Sequence, residues 1–169
     1  MAYSENREWS DQFIPIVKQI VGPYLLEPAP FELDVNEATD LLVFRARDMR
    51  IAARVRRPEF VDKFPWQFTI RSRVASGAKT EFAKIIEGWG DWFFYGFAYE
   101  GDGGIQRWMI VDLHAFRAAL IQRKRGCPRH DEVPNGDGTC FHWFDVLSFP
   151  SQSPILVAAS HDMPATVPA

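Results

Sequence analysis

A single α/β domain of the α+β kind, with helices flanking a mixed sheet, is what this sequence predicts, and three observations carry that expectation. Apolar residues near the N-terminus recur at spacings of three and four, as along one face of a helix. Six later runs alternate, or stay apolar, over strand-like lengths bounded by Gly, Pro, Asp and Asn. A chain of 169 residues that is 47% hydrophobic and 14% aromatic can bury one substantial core but hardly two. One domain over residues 1–160 is therefore expected, followed by a disordered tail at 161–169, where two prolines and little apolar surface leave nothing to bury.

Trp9, Phe13, Ile16, Val17, Ile20 and Val21 form the stripe of a first helix with Ser10 or Asp11 near its start. Pro15 either sits in the first turns, where a missing N–H costs little, or delays the start to that point. Gly22-Pro23 closes the helix, and the loop "EPAPFELDVNEAT" leads to a strand at Leu41–Ala46. Arg47-Asp48 turns the chain into a second strand, Met49–Arg57, and "RPEFVDKFP" separates it from a third, Gln67–Arg73. Ser76 then caps a helix with Ala78, Phe82, Ile85 and Trp89 on its inner side and Gly88 at its end. "DWFFYGFAYE" is apolar on both faces, as expected of a central strand covered on two sides. After the turn "GDGG", "RWMIVDL" reads as a fifth strand, "HAFRAALIQRKR" as a third helix capped by Asp112, and "GTCFHWFDVLSF" as a closing strand. The order is α-β-β-β-α-β-β-α-β, without internal repeats.

Period-two geometry places Arg50, Ala52, Arg54 and Arg56 on one side of the second strand and Ile51, Ala53 and Val55 on the other. In the third strand Gln67, Thr69, Arg71 and Arg73 oppose Phe68, Ile70 and Ser72. Guanidinium groups set side by side repel one another unless acids or an anionic ligand lie opposite them. Phosphate suits them, because the planar fork binds its oxygens in pairs. The alternative is a solvated face on which these arginines pair with Glu32, Asp34, Glu37 and other acids.

The element order from about Trp9 to Tyr99, together with the strand-helix stretch "FTIRSRVASGAKTEFAKIIEG", resembles the restriction-endonuclease-like superfamily, known by its PD-(D/E)XK motif. That resemblance implies an α-β-β-β-α-β core with a mixed sheet, here extended by a C-terminal helix and strand. It also implies hydrolysis of DNA phosphodiesters by one or two divalent cations, usually Mg2+, that activate water and shield the charge building on phosphorus. In that scheme Asp48, or its rival Asp40 in "EATDLLVF", takes the part of the first acid. Thr69 and Arg71 stand where Glu and Lys would. Thr69 cannot replace a carboxylate as a hard-cation ligand, and Arg71, permanently charged, cannot pass a proton. Glu81, ten residues after Arg71 on the next helix, can supply the missing acid, with Lys79 on phosphate and Arg71 steadying the transition state by charge. An acid at that helix start is also favoured by the helix dipole whatever its function. A catalytically inactive relative, binding nucleic acid or an acidic protein partner through Arg50, Arg54, Arg56 and Arg73, fits the same residues. The resemblance further suggests a phage or mobile-element origin.

Near the C-terminus Cys127, His130, Cys140 and His142 give the spacings C-x2-H and C-x-H around an "NGDG" turn. They can converge on a structural Zn2+, or else form a hairpin with a buried Cys140 and a satisfied His142. Trp66 and Trp89 stand at strand and helix ends, where an aromatic is either core or a stacking surface for a base. No P-loop, dinucleotide fingerprint or G-x-S-x-G occurs. The net charge of -3 and pI near 5.8 exclude a generally basic coat protein, so any affinity for nucleic acid must reside in local charge. No apolar run approaches a membrane span and no secretory signal is visible, so a cytoplasmic protein with reduced cysteines, no membrane partner, and DNA, a protein or a second copy as partner is expected.

Overall fold

The computed structural model describes residues 8–28, 41–43, 49–101, 103–122, 128–150 and 154–161. In chain order its elements are α1 (Ile14–Val21), β1 (Leu26–Pro28), β2 (Leu41–Val43), β3 (Ile51–Arg56), β4 (Gln67–Arg73), α2 (Glu81–Ile86), β5 (Trp92–Ala98), β6 (Ile105–Asp112), α3 (Leu113–Ile121), β7 (His130–Pro134), β8 (Cys140–Asp145) and β9 (Leu156–Ala159). Asp40, Asp48, Cys127, the loop acids Glu32, Asp34 and Glu37, and all but His161 of the expected tail lie outside the described residues.

The apolar run after Gly90 forms the middle of the molecule, since Phe93 through Ala98 of β5 are all buried. This strand pairs in parallel with β3 and antiparallel with β6, which pairs antiparallel with β9, giving a mixed sheet in the order β3-β5-β6-β9. Side-chain alternation then feeds two cores. On one face Val55, Phe94, Ala98 and Ile110 pack against Phe13, Val17 and Val21 from α1 and the turn before it. On the other, Phe93, Tyr95, Phe97, Met109 and Val111 meet Phe68, Ile70 and Phe144, Ile85 of α2, and Leu113 and Phe116 of α3. Burying each such Phe fully contributes roughly 1.5–3 kcal/mol relative to leaving it in water, so Phe68, Phe93, Phe116 and Phe144, all at 0–1% exposure, carry much of this second core.

The second core is roofed by a separate antiparallel sheet in the order β4-β8-β7. Here the fold departs from the expected arrangement. The second and third strands of the sequence reading occur at Ile51–Arg56 and Gln67–Arg73, but they belong to different sheets that face each other. The mixed α+β class holds. A third, two-stranded sheet joins β1 to β2, so the predicted strand at Leu41–Ala46 is described over Leu41–Val43 only.

Several local expectations change for identifiable reasons. Pro15 occupies the opening positions of α1, so a separate helical turn at 8–11 precedes it and the helix restarts at Ile14. Thr80, not Ser76, caps α2, its hydroxyl accepting from the amide of Ala83 at 3.2 Å, while Gly77 at φ 70° turns the chain just before. Ala78 and Trp89 are consequently exposed rather than on the inner side of that helix. Asp112 caps α3 as expected, accepting from the amides of His114 at 2.7 Å and Ala115 at 3.0 Å.

Candidate functional site

Because β3 is an edge strand of the mixed sheet and α2 packs beside β4, an open groove of about 1170 Å³ remains along the seam where the two sheets meet. Five arginines, Arg50, Arg54, Arg56, Arg57 and Arg71, line it with Lys79 and Lys84, against three acids, Asp11, Glu81 and Asp137. A chain with a net charge of -3 thus carries a local excess of positive charge in one concavity.

Alternation along β3 aims Ala52, Arg54 and Arg56 at the opposing sheet, while Ile51, Ala53 and Val55 pack on the α1 side. Arg54 is tied down twice. Its Nη1 donates to the carbonyl of Thr69 at 3.1 Å, and its Nη2 is ion-paired with Oε2 of Glu81. The same Glu81 oxygen accepts from the backbone amide of Arg71 at 3.1 Å. Glu81 therefore stitches β3, β4 and the start of α2 together, and both partners of the pair are only about a quarter exposed, at 24% for Arg54 and 27% for Glu81.

Two residues further along the same face, Arg56 stands differently. Its Nη1 donates to the hydroxyl oxygens of Thr69 at 3.3 Å and Tyr95 at 3.2 Å, which are themselves 3.1 Å apart, and its guanidinium lies 4.1 Å from the ring centroid of Phe60. Thr69 and Tyr95 are 6% and 1% exposed, so both hydroxyls belong to the core edge. Among the described residues no carboxylate pairs with Arg56 or Arg71. The hydroxyl and amide of Thr139 hold the Asp137 carboxyl below its ordinary value, with the charge of Arg71 the smallest of the causes.

Of the other expected site residues, Arg50 and Lys79 also line the groove but each lies near a carboxylate, and Arg73 leaves it. Arg50 is exposed, with Nε 3.9 Å from Asp91 and its guanidinium 5.4 Å from the ring of Trp89. Lys79 is paired with Glu87. Arg73 leaves the groove, because a bulge between Arg71 and Arg73 breaks the period-two alternation, and both Ser72 and Arg73 reach Glu132 of β7, at 2.6 and 3.3 Å. The amide of Arg50 and the ring of His114 hold Asp91, whose carboxyl lies below its ordinary value mainly through that amide.

Of the expected Mg2+ ligands, Asp40 and Asp48 lie outside the described residues, so only Glu81 and Thr69 can be placed. Glu81 is committed to Arg54 and an amide, Thr69 is a buried hydroxyl facing Arg56 and Tyr95, and no three His, Cys, Asp or Glu side chains among the described residues gather to hold a metal. The Cys/His set can be placed only in part, because Cys127 lies outside the described residues. β7 and β8 form the hairpin alternative, in which Cys140 is registered with Pro134 and His130 with Phe144. That separation of four residues along the ladder, roughly 13 Å at the usual rise, keeps His130 and Cys140 apart. His142 packs against Phe82 at 4.6 Å, its buried Nδ1 making no hydrogen bond.

Sequence reasoning missed Phe60, Tyr95, Trp9 and Asp137, all of which bear on the groove. Phe60 lay in a loop, and Tyr95 was hidden within a run apolar on both faces; its parallel pairing opposite Arg54 places its hydroxyl by Arg56. Trp89 offered a signal, since an aromatic between Gly88 and Gly90 at a helix end has little chance of joining an inner stripe. No helix among the described residues is long and apolar enough to cross a membrane. No protein-family model, curated protein or solved structure matches the chain.

Proposed function

We propose that the groove binds the phosphate backbone of nucleic acid and that the chain is a non-hydrolysing protein related in plan to the restriction-endonuclease-like superfamily. The observation that carries the reading is Arg56. A half-buried guanidinium held against a phenyl ring and two neutral hydroxyls has no compensating charge among the described residues, and a phosphate oxygen supplies it. Arg71, Lys84 and Arg50 extend the positive wall, so successive phosphates meet successive cations. What supports the kinship is the element order alone, with helix, strands, helix and central strand succeeding one another from Ile14 to Ala98, though with one strand more than that core and with β3 and β4 in different sheets. What supports binding without cleavage is the engagement of Glu81 by Arg54, since a divalent cation would have to displace a guanidinium from a largely shielded pair.

The test is retention of a labelled 30-base-pair DNA and its single strand in EDTA over a salt series. Binding of at least one form that weakens as salt rises, and that falls about 10-fold or more in Arg56→Ala/Arg71→Ala, is expected. Failure of the intact protein to retain either at low salt overturns the reading. Plasmid nicking with Mg2+ or Mn2+, abolished by Glu81→Ala, would replace binding with hydrolysis.

A further inference from the structure

Resting on the backbone-binding reading, we infer that the nucleic acid is single-stranded and that Trp89 is a platform on which one of its bases stacks. Three guanidinium–aromatic pairs line the groove: Arg50 lies 5.4 Å from Trp89, Arg56 4.1 Å from Phe60, and Arg57 4.9 Å from Trp9. Phe60 and Trp9 are partly covered, but Trp89 is 57% exposed. Its position is fixed rather than loose. Gly88 at φ 97° and Gly90 at φ 78° turn the backbone on either side, and the Trp89 amide donates to the carbonyl of Lys84 at 3.0 Å, so the ring projects from a closed helix end.

A cation-lined groove with aromatic faces set along it is the recognition chemistry of single strands, in which backbone phosphates track the charge and unstacked bases lie on the rings. A duplex presents its bases differently. Reading it requires a helix or a two-stranded ribbon to enter the major groove, whereas this site is concave and, among the described residues, its α-helical lining comes from the six-residue α2, the turn at 8–11 and the first residue of α3. Paired bases remain in their own stack and cannot reach Trp89 unless one is flipped out. Stacking also tolerates any base, because every base has a π-face.

The experiment uses the intact chain with a labelled 20-nucleotide mixed-sequence single strand and the same sequence as a duplex, in EDTA at low salt. The single strand is expected to bind at least about 10-fold more tightly than the duplex. Trp89→Ala should weaken the single strand about 5-fold or more, leave the duplex unchanged, and leave the salt slope unchanged because no phosphate contact is lost. Trp89→Phe should restore most of the loss. Equal affinity for both forms, or a Trp89→Ala variant that binds the single strand as the intact protein does, overturns the single-strand inference and leaves backbone binding standing. Retention of neither form overturns the backbone reading itself.

Discussion

Arg54 and Arg56 sit two residues apart on one face of one strand, yet their surroundings assign them opposite work. Arg54 reaches a carboxylate and a carbonyl and becomes part of the framework. Arg56 reaches two hydroxyls and a ring and keeps its charge uncompensated among the described residues. Since residue type, strand and phase are shared, the difference comes entirely from the opposing elements: α2 brings Glu81 to Arg54, whereas Tyr95 and Phe60 bring no charge to Arg56. A basic stripe is therefore not one functional unit. Its paired members hold the sheets together, and its unpaired members are, under the proposed function, the ones that meet a phosphate.

Breaking the paired end should have the largest effect on stability. Glu81→Ala strands a shielded guanidinium and an amide at once, and a loss of about 2–4 kcal/mol is expected in chemical denaturation. Arg54→Ala should cost less than Glu81→Ala, because it leaves Glu81 its amide contact and access to water. Breaking the unpaired end should reverse the pattern, with Arg56→Ala/Arg71→Ala losing about 10-fold in nucleic-acid affinity while denaturation moves by about 1 kcal/mol or less. Thr69→Val probes the seam between the two ends. Removing the hydroxyl from the Arg56–Tyr95 triangle should cost about 1 kcal/mol and weaken binding a few-fold through loss of Arg56 alignment, read by the same two assays.

The smallest effect concerns Asp91, at the far side of Arg50. Its folded-state carboxyl is lowered from 3.8, chiefly by the Arg50 amide, so its stabilising contribution is complete above that value and is lost as pH falls through the lower folded-state value. Asp91→Asn should remove that contribution, and the acid-unfolding curves of variant and parent should converge at the lowest pH.

The same contrast explains what was legible in the sequence. Patterns carried by neighbouring residues translated well: the α1 stripe, the doubly buried β5 and the phase of β3 from Ile51 to Arg56 depend on helical or strand period, and the Asp112 cap on the amides two and three residues ahead. What depends on a partner from elsewhere did not. The Glu81–Arg54 pair spans 27 positions, and β7 is polar enough, as "HDEVP", to look like loop until β8 pairs with it. The bulge that diverts Arg73 to Glu132 leaves no trace in composition. Thr69, expected in the place of a metal-binding acid, lies instead in a buried hydroxyl triangle that only the approach of β5 creates.

The most direct measurement is the salt dependence of single-strand binding for the intact chain and for Arg56→Ala/Arg71→Ala, both in EDTA. If these two arginines each neutralise a phosphate, the slope of log K against log salt should become shallower by about 1.4 in the variant. An unchanged slope, with affinity equally unchanged, would show that the unpaired guanidinium groups do not face nucleic acid and would contradict the account at its centre.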